Sequence, residues 1–104
     1  MLNINFEFRK GILFVRLLGS LNKLSYTEKE TELNNLIISN KFKYIVLNTN
    51  NLSNIDLDGL NCLTKLCYLT VINKSNLVIC DKYHILKTLL NNNIPSINSE
   101  LEVL

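Results

Sequence analysis

The apolar residues of the chain fall into two kinds of pattern, short runs and longer stripes. Short apolar or alternating runs are typical of β-strands, whereas apolar residues that recur every three or four positions are typical of amphipathic helices. Two runs near the N-terminus, residues 3–9 and 11–18, are joined by a short polar connection that contains a glycine, which predicts a β-hairpin. We expect Gly19 and Ser20 to end its second strand.

Downstream of this hairpin, helical stripes and apolar runs alternate along the chain. The predicted elements are a helix at residues 25–40, a strand at 43–48, a helix at 58–73, a strand at 75–80, a helix at 81–93, a short strand at 94–98 and one final helical turn or two at 99–104. The run at 43–48 is continuously apolar at its centre, which is typical of a strand covered on both faces. A polar loop is expected to follow it.

This order of elements defines a fold class. Strands that alternate with helices pair in parallel through right-handed crossovers, and the initial hairpin adds an antiparallel strand. The sequence therefore predicts an α/β sandwich with a mixed β-sheet and about four helices, in the order β-β-α-β-α-β-α-β-α. A length of 104 residues, without a repeat or linker, fits a single domain at residues 1–104.

The starts and the buried faces of the first two helices follow from the same patterns. Two residue pairs fit a capping box at the first helix, Ser25 with Glu28 and Thr27 with Glu30. The predicted buried stripe of this helix consists of Tyr26, Leu33, Leu36 and Ile37. That of the second helix consists of Leu60, Leu63, Cys67 and Val71, widened by Leu66 and Leu69.

Composition narrows the class of protein. Hydrophobic residues make up 47% and charged residues 19% of the chain, a balance typical of a globular protein. The net charge of +2 is too small, and the basic residues too dispersed, to indicate a nucleic-acid partner. No apolar segment approaches the ~18 residues of a membrane span and no signal peptide is recognisable, so no membrane insertion is expected. We expect a cytoplasmic protein whose three cysteines are reduced.

Residue patterns of common enzymes are scarce in this sequence. The three glycines are isolated and form no phosphate-binding loop, and no serine lies in a G-x-S-x-G elbow. Cys80 and His84 loosely resemble a thiol–imidazole pair, but a buried thiol at a strand end and a helical histidine explain them more simply. Cys62 and Cys67 are five residues apart, a spacing that places them on different faces of a helix and suits a metal ion poorly. The sequence therefore predicts no catalytic residue, no metal site and no cofactor.

Two carboxylates, Asp56 and Asp58, flank Leu57 at the expected start of the second helix. An aspartate at this position accepts a hydrogen bond from a free first-turn amide and is stabilised by the helix dipole, and Gly59 would let the backbone bend. One cap needs only one aspartate, so the other is left near the carboxyl end of a strand. Ligands and partners of open α/β sheets are commonly bound at that edge.

The segment YIVLNTNNLSNIDLDGLNCL, residues 44–63, resembles the central segment of the STAS family, which includes sulphate-transporter cytoplasmic domains and bacterial anti-sigma factor antagonists. In that family an apolar strand ending in Asn or Asp is followed by a loop with a leucine, and then by D-S-[ST]-G-L at the start of a helix. Here the strand ends at Asn48, the loop leucine is Leu52, and the motif spans residues 56–60. The resemblance extends from about residue 6 to residue 98.

The resemblance implies a STAS-like domain that acts as a non-catalytic regulatory protein-binding module in bacterial transcription. Anti-sigma factor antagonists bind an ATP-dependent anti-sigma kinase and so free a sigma factor, and the kinase reverses this by phosphorylating the first serine of D-S-[ST]-G. In this chain Leu57 holds the phosphoacceptor position, so the resemblance implies that the switch is lost. The partner-binding residues that it implies are Asn22, Asp56, Leu57, Asp58 and Gly59.

Other interpretations stay open from the sequence. One is an accessory STAS subunit of a membrane transporter or of a sensory assembly, and a homodimer is compatible with either role. Another is a small nucleotide-binding or phosphotransfer enzyme, although Asn48 stands at the strand end where a phosphotransfer receiver needs an aspartate. Ser53 and Ser25 are candidate modification sites, each explained more simply as a loop polar group or a helix cap.

Overall fold

The computed structural model describes residues 1–40, 42–82 and 94–104. The strands within these residues are β1 (Leu2–Arg9), β2 (Ile12–Leu21), β3 (Tyr44–Ile55), β4 (Asn76–Cys80) and β5 (Ser96–Ile97). The α-helices are α1 (Lys23–Ser39) and α2 (Leu57–Ile72), and a 3₁₀ turn follows at Glu100–Val103. No helix of the described part is both long enough and apolar enough to cross a membrane.

The five strands form one mixed sheet in the order β1-β2-β3-β4-β5. β1 and β2 are an antiparallel hairpin, and every later neighbour pairs in parallel. The hairpin turns at Lys10 and Gly11, whose φ angles of 53° and 82° are both positive. This is the type I′ geometry, whose twist matches that of the flanking strands. The predicted α/β class, mixed sheet and hairpin are therefore confirmed.

β3 is longer than the sequence indicates, because the polar residues after Asn48 continue the strand to Ile55 instead of forming the predicted loop. These residues pair with β2, which itself continues to Leu21. The pairing has two register shifts, and at each of them β3 has one extra residue. β4 pairs only with Tyr44–Asn48. Among the described residues, the far end of β3 therefore pairs with a strand only on its β2 side, so polar side chains cost little there.

The sheet buries an apolar face on each side. One face packs against the two helices, through Leu13, Val15, Leu17, Ile45, Leu47, Leu77 and Ile79 from the strands and Leu33, Ile37, Leu63 and Leu66 from the helices. The opposite face consists of Ile12, Phe14, Val46, Val78 and Cys80, with Ile97 and Val103 packed against it. The central run Ile45–Leu47 is at most 2% exposed, which confirms that this strand is covered on both sides.

The helical stripes are confirmed on α1 and corrected on α2. On α1, Tyr26, Leu33 and Ile37 are buried and Leu36 is partly buried, as predicted. On α2, Thr70 is buried and Val71 is 60% exposed, so the predicted place of Val71 in the stripe is wrong. Two successive four-residue steps rotate a side chain by about 80° from its starting direction, which carries Val71 out of the buried face.

The number of helices differs from the prediction. Two α-helices lie in the described part, whereas the predicted third helix at 81–93 falls largely outside the described residues. Residues 99–104 contain a 3₁₀ turn instead of an α-helix. Ser99 caps this turn and Glu102 bonds back to the cap, so one short turn already satisfies the local amides.

Candidate functional site

Both α-helices begin at the carboxyl end of the sheet, one directly after β2 and the other directly after β3. Leu21 ends β2 and pairs with Ile55, the last residue of β3. The carbonyl oxygen of Leu21 accepts a hydrogen bond from the amide of Asp56, at 3.2 Å. Because Asn22 follows Leu21, this bond brings Asn22 close to residues 56–59. We call these five residues the helix-start surface.

Asp56 is the N-cap of α2. Its Oδ1 accepts a hydrogen bond from the amide of Gly59 at 2.7 Å, and its carbonyl oxygen accepts one from the amide of Leu60 at 2.9 Å. The sequence left open which aspartate caps the helix, and the geometry selects Asp56. Asp58 lies in the exposed first turn, where the helix dipole favours a carboxylate. No hydrogen bond or ion pair of the Asp58 carboxylate occurs among the described residues.

Gly59 is buried because α2 starts against the end of β2. A Cβ at this position would overlap the carbonyl oxygen of Leu21. That oxygen is itself held by the Asp56 amide, so it cannot move away without loss of a hydrogen bond. The close approach of helix and strand requires the glycine, which is a reason different from the expected backbone bend.

Leu57 is the first residue of α2, and 73% of it is exposed. It stands between two exposed carboxylates, Asp56 and Asp58. The turn that carries it is held by the cap at Asp56 and by the contact of Gly59 with Leu21. The Leu57 side chain is therefore an exposed apolar group between two carboxylates, on a backbone that these contacts hold in place.

Asn22 has a structural role at the start of α1, where it is the N-cap. Its Oδ1 accepts a hydrogen bond from the Ser25 amide at 2.9 Å, and the Ser25 Oγ accepts one from the Asn22 amide at 3.0 Å. Both predicted capping boxes of this helix are therefore wrong, since Asn22 caps it, three residues before its expected start at Ser25. The buried Ser25 hydroxyl also donates to the carbonyl oxygen of Ser20. Ser53, by contrast, is exposed within β3.

A second polar group, which the sequence patterns missed, lies on the sheet face opposite the helices. We call it the Arg16 cluster, and its members are Glu7, Arg16, Asn48 and Glu100. The Arg16 guanidinium donates to both Glu100 oxygens, at 2.7 and 2.9 Å, and to Glu7 at 2.8 Å. Asn48 Nδ2 donates to Glu100 at 2.7 Å. The only sequence signal was one arginine inside the apolar run of β2.

The charges of this cluster reinforce one another. Hydrogen bonds to Glu100 and Glu7 raise the pKa of Arg16, so its guanidinium stays charged. The hydrogen bond from Arg16 lowers the pKa of Glu100, and this effect outweighs burial, which alone would raise the pKa. Because Glu100 belongs to the C-terminal 3₁₀ turn and Arg16 to β2, the cluster fastens that turn to the sheet. Its geometry is that of a structural ion pair.

All three cysteines are buried or half-buried, and the Cys80 sulfur accepts a hydrogen bond from Asn50 Nδ2 at 3.2 Å. Burial raises the pKa of Cys67 and of Cys80 to about 11, and it also raises the pKa of the half-buried Cys62. The loose resemblance of Cys80 and His84 to a thiol–imidazole pair is untested, because His84 lies outside the described residues. Within residues 1–40, 42–82 and 94–104, no group of three or more His, Cys, Asp or Glu residues could hold a metal ion.

We expect the thiols of the folded protein to react slowly with a disulfide reagent. At a pKa of about 11, only about one thiol in a thousand is ionised at pH 8, and burial further limits access at Cys67 and Cys80. The reagent releases a coloured thiolate, and its absorbance before and after addition of guanidinium measures the rate of the reaction. Cys67 and Cys80 should react only after unfolding, whereas half-buried Cys62 should react slowly before it; modification of native Cys80 at the rate of a free thiol would contradict the expectation.

Comparison with solved structures identifies the fold. SpoIIAA, an anti-sigma factor antagonist, in its unphosphorylated form matches with a TM-score of 0.78 and 13% identity, over 97% of this chain and 93% of that chain. An anti-sigma factor antagonist from Mycobacterium paratuberculosis matches with a TM-score of 0.76 and 13% identity, over 98% and 90%. No family model and no curated protein matches the sequence.

The chain therefore has the STAS fold of the SpoIIAA-type anti-sigma factor antagonists. The Bacillus cell fate determinant SpoIIAA in its phosphorylated form matches similarly, with a TM-score of 0.74 and 13% identity over 97% of this chain and 96% of that chain. The resemblance found in the sequence motifs is thus confirmed at the level of the fold.

Proposed function

We propose that this chain is a non-catalytic regulatory protein-binding module of the anti-sigma factor antagonist type. It docks on a protein partner through the helix-start surface, and it has lost the usual serine phosphorylation switch. The observation that carries the proposal is Leu57, an exposed apolar residue that opens α2 between two exposed carboxylates. Support comes from the fold, which is shared with proteins described as anti-sigma factor antagonists.

The geometry of the helix-start surface suits a binding anchor. The cap at Asp56 and the contact between Gly59 and Leu21 fix the backbone that carries Leu57. An anchor that is already fixed loses little conformational entropy when a partner binds. The carboxylates of Asp56 and Asp58 favour a partner with an apolar pocket and a basic rim. An anti-sigma kinase-like protein is the partner that we propose.

The lost switch follows from the chemistry of position 57. Leucine has no hydroxyl group, so no phosphate ester can form there. Asp58 is one residue further along and carries about half the charge of a phosphate, so it reproduces a phosphorylated state only in part. Binding is therefore regulated by the amount or location of the two proteins and not by phosphorylation of this turn.

We expect Leu57→Ser to weaken binding of the partner about tenfold or more, because an apolar anchor at an interface typically contributes over 1 kcal/mol. Affinity capture from the native cell with the wild-type chain, followed by mass spectrometry, identifies the partner. Calorimetric titration of the purified partner then gives the affinity of each variant. Ile72→Ser is the matched control, since Ile72 is 67% exposed at the opposite end of the same helix.

The outcomes separate the candidate functions. Recovery of an anti-sigma kinase-like protein, with affinity lost in Leu57→Ser and kept in Ile72→Ser, supports the proposal. Recovery of a transporter ATPase or a sensor subunit instead would assign the chain to a membrane or sensory assembly. Equal affinity of the wild type and Leu57→Ser, or phosphate on residues 56–59 in protein from the native cell, would contradict the proposal.

A further inference from the structure

Strand β1 is an edge of the sheet, with β2 on one side and no described residue paired on the other. It is eight residues long and pairs with β2 in an unbroken register, from Leu2 opposite Gly19 to Arg9 opposite Ile12. Natural edge strands are usually protected by a bulge, a proline, a lysine or short length. β1 has no bulge, proline or lysine and is not short; it does carry the charged residues Glu7 and Arg9, but no described strand pairs with its outer edge.

The hairpin geometry determines which backbone groups face that open side. In a two-residue hairpin the flanking pair, here Arg9 and Ile12, exchanges both hydrogen bonds, and every second residue of the strand does the same. The bond from the Ser20 amide to the Met1 carbonyl oxygen, at 3.0 Å, follows the same alternation. The N–H and C=O groups that point away from β2 therefore belong to Leu2, Ile4, Phe6 and Phe8.

We propose that β1 is a dimerisation edge, which pairs antiparallel with β1 of a second copy of this chain about a two-fold axis at Asn5. In this register Leu2 lies opposite Phe8, and Ile4 lies opposite Phe6, of the second copy. Each such pair exchanges two backbone hydrogen bonds, so all the outward-facing groups of the strand are satisfied. The two five-stranded sheets become one continuous sheet.

A second copy suits this edge because the pairing is complementary to itself. On the helix side, isoleucine opposite phenylalanine is a favourable cross-strand pair. On the other side, Glu7 faces Asn3 and Asn5 faces its own copy, so no like-charged side chains are opposed. An axis at Glu7 would oppose two carboxylates, and an axis at Phe6 would leave Leu2 unpaired. The axis at Asn5 avoids both costs.

The surface beside the strand also favours coverage by an apolar partner. Phe8 is 60% exposed and contacts Phe42, with ring centroids 5.5 Å apart. Both rings line a groove of about 850 Å³ whose other apolar residues are Phe6, Leu13 and Leu36. Pairing at β1 would bring the second copy against the exposed side of Phe8. The helix-start surface lies at the ends of β2 and β3, so dimerisation leaves it free and does not depend on the proposed function.

The test combines molar mass with amide hydrogen exchange. Light scattering of the wild type at rising concentration should reach twice the 12.0 kDa mass of the chain. By NMR, the amides of Ile4 and Phe6 should exchange at least about tenfold more slowly in the dimer than in the dilute monomer. The amides of Asn5 and Glu7 bond to β2 in both states, so their exchange should be unchanged and provides the internal control.

Two variants complete the design. Ile4→Pro removes an outward-facing N–H that β2 does not use, so it should give a folded monomer. Tyr68→Ser alters an exposed apolar residue on α2 and should leave the dimer intact. A monomer at every concentration, a dimer without slowed exchange at Ile4 and Phe6, or a dimer lost in Tyr68→Ser would overturn the proposal. The exchange measurement needs only the wild type, so it tests the proposed pairing even if Ile4→Pro fails to fold.

Discussion

Gly59→Ala should unfold at a markedly lower urea concentration than the wild type, with a loss of about 2–4 kcal/mol in the free energy of unfolding. The added Cβ overlaps the carbonyl oxygen of Leu21, so the start of α2 must move away from β2. That movement also strains the hydrogen bond from the Asp56 amide to the same oxygen. In an open helix, glycine to alanine instead stabilises by about 1 kcal/mol, so the sign of the change is diagnostic.

The control for this substitution is Asn61→Ala, two residues further along α2 on its exposed side. Alanine has the higher helix propensity, and no packing is altered, so we expect a change within about 0.5 kcal/mol of zero or a small gain. Urea titrations followed by circular dichroism measure both variants. If Gly59→Ala were as stable as Asn61→Ala, the close approach of α2 to β2 would be disproved.

Arg16→Met should lower the free energy of unfolding by about 1–3 kcal/mol at neutral pH. Methionine keeps much of the apolar stem but leaves the Glu7 and Glu100 carboxylates close together without their shared cation. The C-terminal 3₁₀ turn then loses its bidentate attachment to β2. Arg9→Met is the matched control, because the Arg9–Glu7 pair is 3.5 Å long and largely exposed and should contribute less than about 0.5 kcal/mol.

The effect of Arg16→Met should depend on pH in a definite direction. The folded state lowers the pKa of Glu100, so its ionised carboxylate stabilises the protein above its unfolded pKa. That contribution is lost as the pH falls through the lowered pKa of the folded state. The difference between the wild type and Arg16→Met should therefore shrink between pH 7 and about pH 3, as measured by urea titrations. A difference that is constant over this range would show that Arg16 acts by packing alone.

Local patterns in the sequence predicted the hairpin, the buried run of β3, and both α-helices, because neighbouring residues determine these features. The polar end of β3 was not predictable in this way. Thr49 Oγ1 donates to the carbonyl oxygen of Cys80 at 3.1 Å, and Asn50 Oδ1 accepts from the Lys82 amide at 2.6 Å. These partners lie about thirty residues away, and they allow a polar segment to remain extended beside β2.

The start of α2 was predicted in position, but the contacts that hold it were not. The motif at residues 56–59 indicated a helix start, whereas the choice of Asp56 as cap and the reason for Gly59 depend on the position of Leu21 in space. The Arg16 cluster was missed because Glu100 is 84 residues from Arg16 in the sequence. An isolated arginine in an apolar strand indicates a buried charge partner, but sequence spacing does not reveal which residue that is.

The spatial order of the strands, β1 to β5, repeats their order along the chain. Among the five described strands, none is inserted between two earlier ones, so each strand that emerges during synthesis follows the neighbour with which it pairs. Paired strands are then separated by no more than one crossover, although parallel partners such as Ile12 and Tyr44 still lie about thirty residues apart in the sequence. We expect the sheet to form first at the local hairpin and to grow in one direction, toward β5. Such a chain can fold while its C-terminal part is still being translated.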